Sequence, residues 1–234
     1  MAFKKFLLDE QTAITIYKKR GSRYMRISIK GDGSIRLTIP TWVPYGAGLK
    51  YAQSKYDWIK TNQQTDVNFK NGHRIGKSHT VKIVYSENIS DCSVRVDDNY
   101  ISVKLGKKFN IDDAYVQNKI KQAGIRALRK QAELFLPERV NKYSDVHNFK
   151  TGSISIKNLK GRWGSCDRDK NIVLNLHLMH LPWELIDYVI HHELTHTKIM
   201  QHGPVFWNEM RRIWPDVDRH RRDIKQYQPN FTNN

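Results

Sequence analysis

The chain opens on short alternating runs. Ile14 and Ile16, then Tyr24, Ile27 and Ile29, then Ile35, Leu37 and Ile39 alternate with polar residues. Successive strand side chains point to opposite faces, so a period of two predicts half-buried strands. Gly31-Asp32-Gly33 between the last two runs predicts a hairpin turn. Pro40 closes the third run. From 43 to 62 the period lengthens, and Leu49, Ala52, Tyr56 and Ile59 are spaced for one helix face. A turn at Asn71-Gly72, a strand near 79–85 and a strand pair near 93–105, joined through Asp97-Asp98-Asn99, complete a β-rich region that ends near Gly106.

The rest is mainly helical. Asp112 is the expected N-cap of a helix running to about Val140, with Ile120, Ala127, Leu128, Leu134 and Phe135 as apolar positions and Pro137 as a break. Residues 153–156 and 172–176 read as strands. Pro182 suits the first turn of a helix whose buried stripe is Leu185, Ile186, Val189 and Ile190. Gly203-Pro204 ends that segment, and 205–213 read as a further short helix. The fold class expected is α+β. Residues 1–108 are expected to form a β-rich N-terminal region, and 109–234 a mainly helical domain with a small sheet.

Composition narrows the setting. The 234 residues suffice for one large domain or two small ones. Cys92 and Cys166 are far apart and form no CxxC, which supports neither a disulfide framework nor a cysteine-based zinc site. The apolar stretch before Asp9 is too short for a signal sequence, and no run approaches the ~18 apolar residues of a membrane helix. A cytoplasmic protein without membrane contact is expected. The net charge of +17 suits a polyanionic partner, nucleic acid among them, through a basic surface, or a solvated basic enzyme.

The chemistry concentrates in His192-Glu193-Leu194-Thr195-His196. Histidines four apart on a helix lie one turn above the other, where both can bind one divalent metal. This is the H-E-x-x-H pattern, with His192 and His196 as zinc ligands and Glu193 as general base toward water. His202, ten residues after the first histidine, is the best third ligand, and Glu209 is the alternative. Ile199 stands where zincins of that spacing carry the glycine that turns the chain, so Gly203-Pro204 is expected to shape the return. His191 points about 100° away on the helix and reads as a neighbour. Gly72 to Ser78 is one residue short of a phosphate loop and lacks its strand–loop–helix frame.

Gly161-Arg162-Trp163-Gly164-Ser165-Cys166, Ile172-Val173-Leu174-Asn175, the helix through His196, and His202 followed by Phe206-Trp207 together resemble the YgjP-like zinc metallopeptidases, distant relatives of the SprT and WLM metallopeptidases. The leading segment, from the strands near Tyr24 to Trp58, is also similar. The resemblance implies a gluzincin-like minimal core of long helix, small sheet, active-site helix and C-terminal helix. It implies His192, His196 and His202 as zinc ligands and Glu193 as catalyst. The segment from Asn171 to Leu176 would be the edge strand lining the cleft, with Arg162 and Asn175 as candidate substrate-binding residues. Thr195 replaces an alanine common in the family. The substrate expected is a peptide or protein; a nucleoside triphosphate is the alternative, and a nucleic-acid-binding protein with a structural zinc is a third.

Overall fold

A computed structural model describes residues 2–9, 12–29, 34–63 and 67–231. These divide into two compact units, Met1–Val67 and Asn68–Asn234. The boundary expected at 108/109 therefore differs from the division between compact units. The reason lies in the packing of residues 68–108, described below.

The first unit holds β1 (Phe3–Leu7), β2 (Ala13–Lys19), β3 (Arg26–Ile29), β4 (Ile35–Pro40), α1 (Tyr45–Gln53) and α2 (Tyr56–Gln63). The strands form one sheet in the order β1-β2-β4-β3, with β2 and β4 parallel. The alternation predicted from the sequence sets the faces: Ile14, Ile16, Ile35, Leu37 and Ile39 are buried and pack with Ala52 and Ile59 of the helices. The expected turn at Gly31-Asp32-Gly33 lies outside the described residues. The helical stretch is two helices, broken at Ser54-Lys55. Strand β1 was not foreseen, because its outward positions carry Phe3, Lys5 and Leu7 rather than a clean polar set.

The second unit is organised by one 34-residue helix, α3 (Ala114–His147). Before it come β5 (Arg74–Ile75), β6 (His79–Tyr85), β7 (Cys92–Val96) and β8 (Tyr100–Leu105), a sheet in the order β5-β6-β8-β7. Two side-chain amides, one of them buried, tie these residues to α3. Gln131 accepts from the Lys77 N–H at 2.6 Å and donates to the Ile75 carbonyl at 3.1 Å. Gln117 accepts from the Phe69 N–H at 2.7 Å and donates to its carbonyl at 3.0 Å. The β-rich segment after residue 67 thus shares a core with the helix that follows it.

Helix α3 passes through Pro137 and ends at His147, where Asn148 adopts the left-handed conformation (φ 52°). Pro137 removes one helical hydrogen bond, but buried Leu136 and Val140 hold the helix to the core on both sides. Leu134, expected to be apolar core, is 66% exposed.

Beyond α3 lie β9 (Ile154–Lys157), β10 (Gly164–Cys166), β11 (Ile172–Asn175), a 3-10 helix (Leu176–His180), α4 (Trp183–His196), α5 (Pro204–Ile213) and α6 (Val217–Asp223). The sheet order is β10-β11-β9, so β11 is central and β10 is the edge. This corrects the expectation that Asn171 to Leu176 forms the edge strand. Three residues of GRWGSC suffice to pair with β11, a length that alternation cannot reveal. Pro204 does not end structure but starts α5, with Gly203 as its N-cap.

Among the described residues no helix is long and apolar enough to cross a membrane.

Candidate metal centre and active site

The site is built on α4, which α3 holds by charge. Arg139 forks onto Asp187, with Nε to Oδ1 at 2.7 Å and a terminal nitrogen to Oδ2 at 2.6 Å, and the Tyr143 hydroxyl donates to Oδ2 at 2.9 Å. One turn later His191 donates from Nδ1 to the Asp187 carbonyl at 2.7 Å. It is fully buried between Tyr143 and Trp214, facing away from the cleft as the helical angle predicts. Another turn on, the Thr195 hydroxyl donates to the His191 carbonyl at 2.8 Å, so threonine satisfies its own proton within the helix.

The opposite stripe carries His192 and His196, and the chain after α4 brings back His202. Their Nε2 atoms converge: His192 to His196 3.2 Å, His196 to His202 3.1 Å, and His202 to His192 2.9 Å. Three nitrogens at tetrahedral angles and ~2.05 Å from a zinc ion stand about 3.3 Å apart, so this triangle fits one ion. The protonation pattern fits too. The Ile199 carbonyl can only accept, so His196 carries its proton on Nδ1, 3.1 Å away, and Nε2 offers a lone pair. Burial first, then the neighbouring imidazoles and Arg221, push His192 down to about 3, so it is neutral at neutral pH. His196 is shifted the same way, chiefly by burial.

The helix stops without a glycine at position 199. Its C-cap is Thr197, in the right-handed conformation, and the Ile199 carbonyl is used by His196. Helix α5 then fixes His202. Trp207 donates from Nε1 to the His202 carbonyl at 3.1 Å, and Phe206, fully buried, packs its ring within 4.6–5.0 Å of all three imidazoles. Arg221 stacks on Trp207, its guanidinium 4.0 Å from the ring. The H-x-x-x-F-W spacing was the only sequence signal for this aromatic floor.

Glu193 is 5% exposed and lies against the edge strand. A Cβ added at Gly164 of β10 would stand 2.7 Å from its Oε1, so only glycine leaves room for the carboxylate. Burial pushes its carboxyl up to about 8, while Arg162 pulls the other way. Arg162 itself is exposed. Asn175, expected at the substrate, is fully buried. It donates to the Leu159 and Arg162 carbonyls at 2.9 and 2.8 Å and accepts from the His177 N–H at 3.1 Å, so it anchors the loop that carries Arg162. Glu209, the alternative third ligand, forks with Arg212 at 2.8 Å. Cys166 is raised to about 11 by burial and by Glu193, which makes it a poor nucleophile.

This arrangement matches a known family. The YgjP-like metallopeptidase domain aligns with residues 23–227. The chain belongs to the YgjP-like metallopeptidase family. Membership implies a divalent metal, and the described residues include one group suited to it, His192, His196 and His202. Two solved structures are similar over parts of the chain. The metallopeptidase zymogen abylysin of Pyrococcus abyssi is 21% identical, covering 42% of this chain and 100% of that one, with a TM-score of 0.37. The metallopeptidase zymogen jannalysin of Methanocaldococcus jannaschii is 31% identical, covering 38% of this chain and 93% of that one, with a TM-score of 0.35. No curated protein matches the chain.

Proposed function

We propose that this metallopeptidase is zinc-dependent, with His192, His196 and His202 as ligands and Glu193 as general base for hydrolysis of a peptide bond. The observation that carries the reading is the pairing of two features: three converging imidazole nitrogens, two of them from α4, and a buried carboxyl group on the same helix one residue from the first of them. When bound, zinc supplies Lewis acidity, polarising the scissile carbonyl and making water acidic near neutral pH.

The chain's own residues supply the rest. Glu193 accepts the proton of the attacking water and hands it to the leaving amine. Arg162 places a positive charge near that carboxylate and favours negative charge as it develops. The free edge of β10 offers main-chain groups to an extended peptide by strand addition. Phe206 keeps water away from the back of the three imidazoles.

The test is a paired measurement of metal content and hydrolysis. Wild type is expected to hold about one zinc per chain and to cleave an unstructured protein substrate. Glu193→Gln is expected to keep the zinc and lose cleavage. Phosphate release from nucleoside triphosphates without peptide cleavage, lost in the same variant, would replace the peptide reading with the nucleotide one.

A further inference from the structure

The sheet of the first unit has a second face. Its helices pack on Ile14, Ile16, Ile35, Leu37 and Ile39, and the alternate residues point the other way. Register places Phe3, Tyr17, Thr38 and Arg26 side by side in one row, and Lys5, Thr15, Arg36 and Ser28 in the next. These eight positions carry three cations, two aromatic rings, three hydroxyls and no carboxylate. Phe3 is 56% exposed, and its ring lies 5.4 Å from that of Tyr17. The Arg36 guanidinium lies 4.0 Å over the Tyr17 ring.

We propose that this face binds single-stranded nucleic acid. Three features select that partner. The charge is complementary: residues 1–67 hold twelve Lys and Arg against five Asp and Glu, and none of the eight paired positions is acidic. Arg26 shares a row with Phe3 and Tyr17, and Lys5 and Arg36 stand in the row beside it, so a chain of phosphates can be held while its bases stack on Phe3 and on the Tyr17–Arg36 pair. Only unpaired bases expose their faces for this, so a single strand fits and a duplex does not. An acidic peptide has the charge but not the repeated flat groups. The hydroxyls of Thr15, Ser28 and Thr38 lie between the cations and suit phosphate and sugar oxygens. The inference is independent of the peptidase chemistry.

The test uses the full chain and fluorescence anisotropy with a labelled oligothymidylate of about 15 nucleotides, a duplex of equal length, and anionic phospholipid vesicles. Tighter binding to the single strand than to the duplex is expected, weakening steeply between about 50 and 200 mM salt. Tyr17→Ala is expected to weaken it about five-fold or more. Should that variant melt early, Lys5→Gln with Arg26→Gln replaces it, two exposed changes expected to reduce the salt slope by about 1.4. Lys50→Gln, on α1, is the control and should bind as wild type. Equal loss in the Lys50 variant, no loss in the face variants, or vesicles or duplex bound as tightly as the single strand would each overturn the assignment.

Discussion

The second unit contains two clusters of histidine with opposite outcomes. His192, His196 and His202 meet nitrogen to nitrogen, with the His196 ring at 83° and 89° to its neighbours. His177 and His180 instead stack, with centroids 5.7 Å apart and planes at 20°, and Phe231 sets its edge against both at 5.2 and 5.4 Å. Among the described residues neither His177 Nδ1 nor His180 Nε2 has a hydrogen-bond partner. The difference begins with the helix type. Positions i and i+4 of an α-helix are offset by one turn, so two rings can lean toward a common point. Positions i and i+3 of a 3-10 helix eclipse, which lays the rings face to face. Burial depresses the basicity of His192 and His196 in one cluster and of both rings in the other, to about 4 in His177 and about 3 in His180. A low pKa therefore does not mark a metal site; convergence of lone pairs does.

The sharpest way to break this comparison is to remove one ring from each cluster. His196→Ala is expected to drop the zinc content from about one per chain to none and to abolish hydrolysis. His177→Ala is expected to keep the metal and lose about 1–3 kcal/mol of stability. Metal analysis and denaturant unfolding on both variants decide it, and metal loss in the His177 variant would erase the distinction.

Next in size is the catalytic carboxylate. Glu193→Gln should lower kcat by roughly 10²- to 10⁴-fold at unchanged metal content. Gly164→Ala should reach the same group indirectly. The new methyl displaces the carboxylate, and a shift of about 1 Å costs on the order of 10²-fold in rate. A normal rate in that variant would mean that Glu193 has room to move without loss.

The smallest effect concerns pH. His177 is 4% exposed, and its folded-state pKa lies below the ordinary value of 6.5. Above 6.5 neither state binds the proton and it contributes nothing. Between 6.5 and about 4 only the unfolded chain binds it, so stability falls on acidification by up to about 1.4 kcal/mol per pH unit. His177→Phe should flatten the profile of the metal-free protein by that slope. Identical slopes across that window would show the ring to be accessible to protons when folded.

Much of this was legible in the residues. Alternation located β2, β3, β4 and β6, the longer period located α3 and α4, and the pentapeptide placed two histidines on one face. The misses share a cause. Strand β10 is three residues long, and β1 alternates poorly, so neither leaves a periodic signal. Asn175 looked available for substrate because a sequence does not show that its amide is taken by the Leu159 and Arg162 carbonyls. Residues 68–108 fall in one compact unit with α3, where Gln117 and Gln131, polar residues in a helical pattern, bond to the backbone of Phe69, Ile75 and Lys77.

By itself the sequence determined what local geometry can carry: the strand and helix periods, the i, i+4 histidine pair, and the absence of a cysteine framework. Only the tertiary structure decided the convergence of His202 with that pair, the burial of Glu193 against Gly164, the edge position of β10 and the stacking of His177 on His180. The physical reason is range. Periodicity follows from the backbone torsions of one segment, whereas a site depends on how separate segments pack, and that is set by the summed burial of side chains distant in sequence.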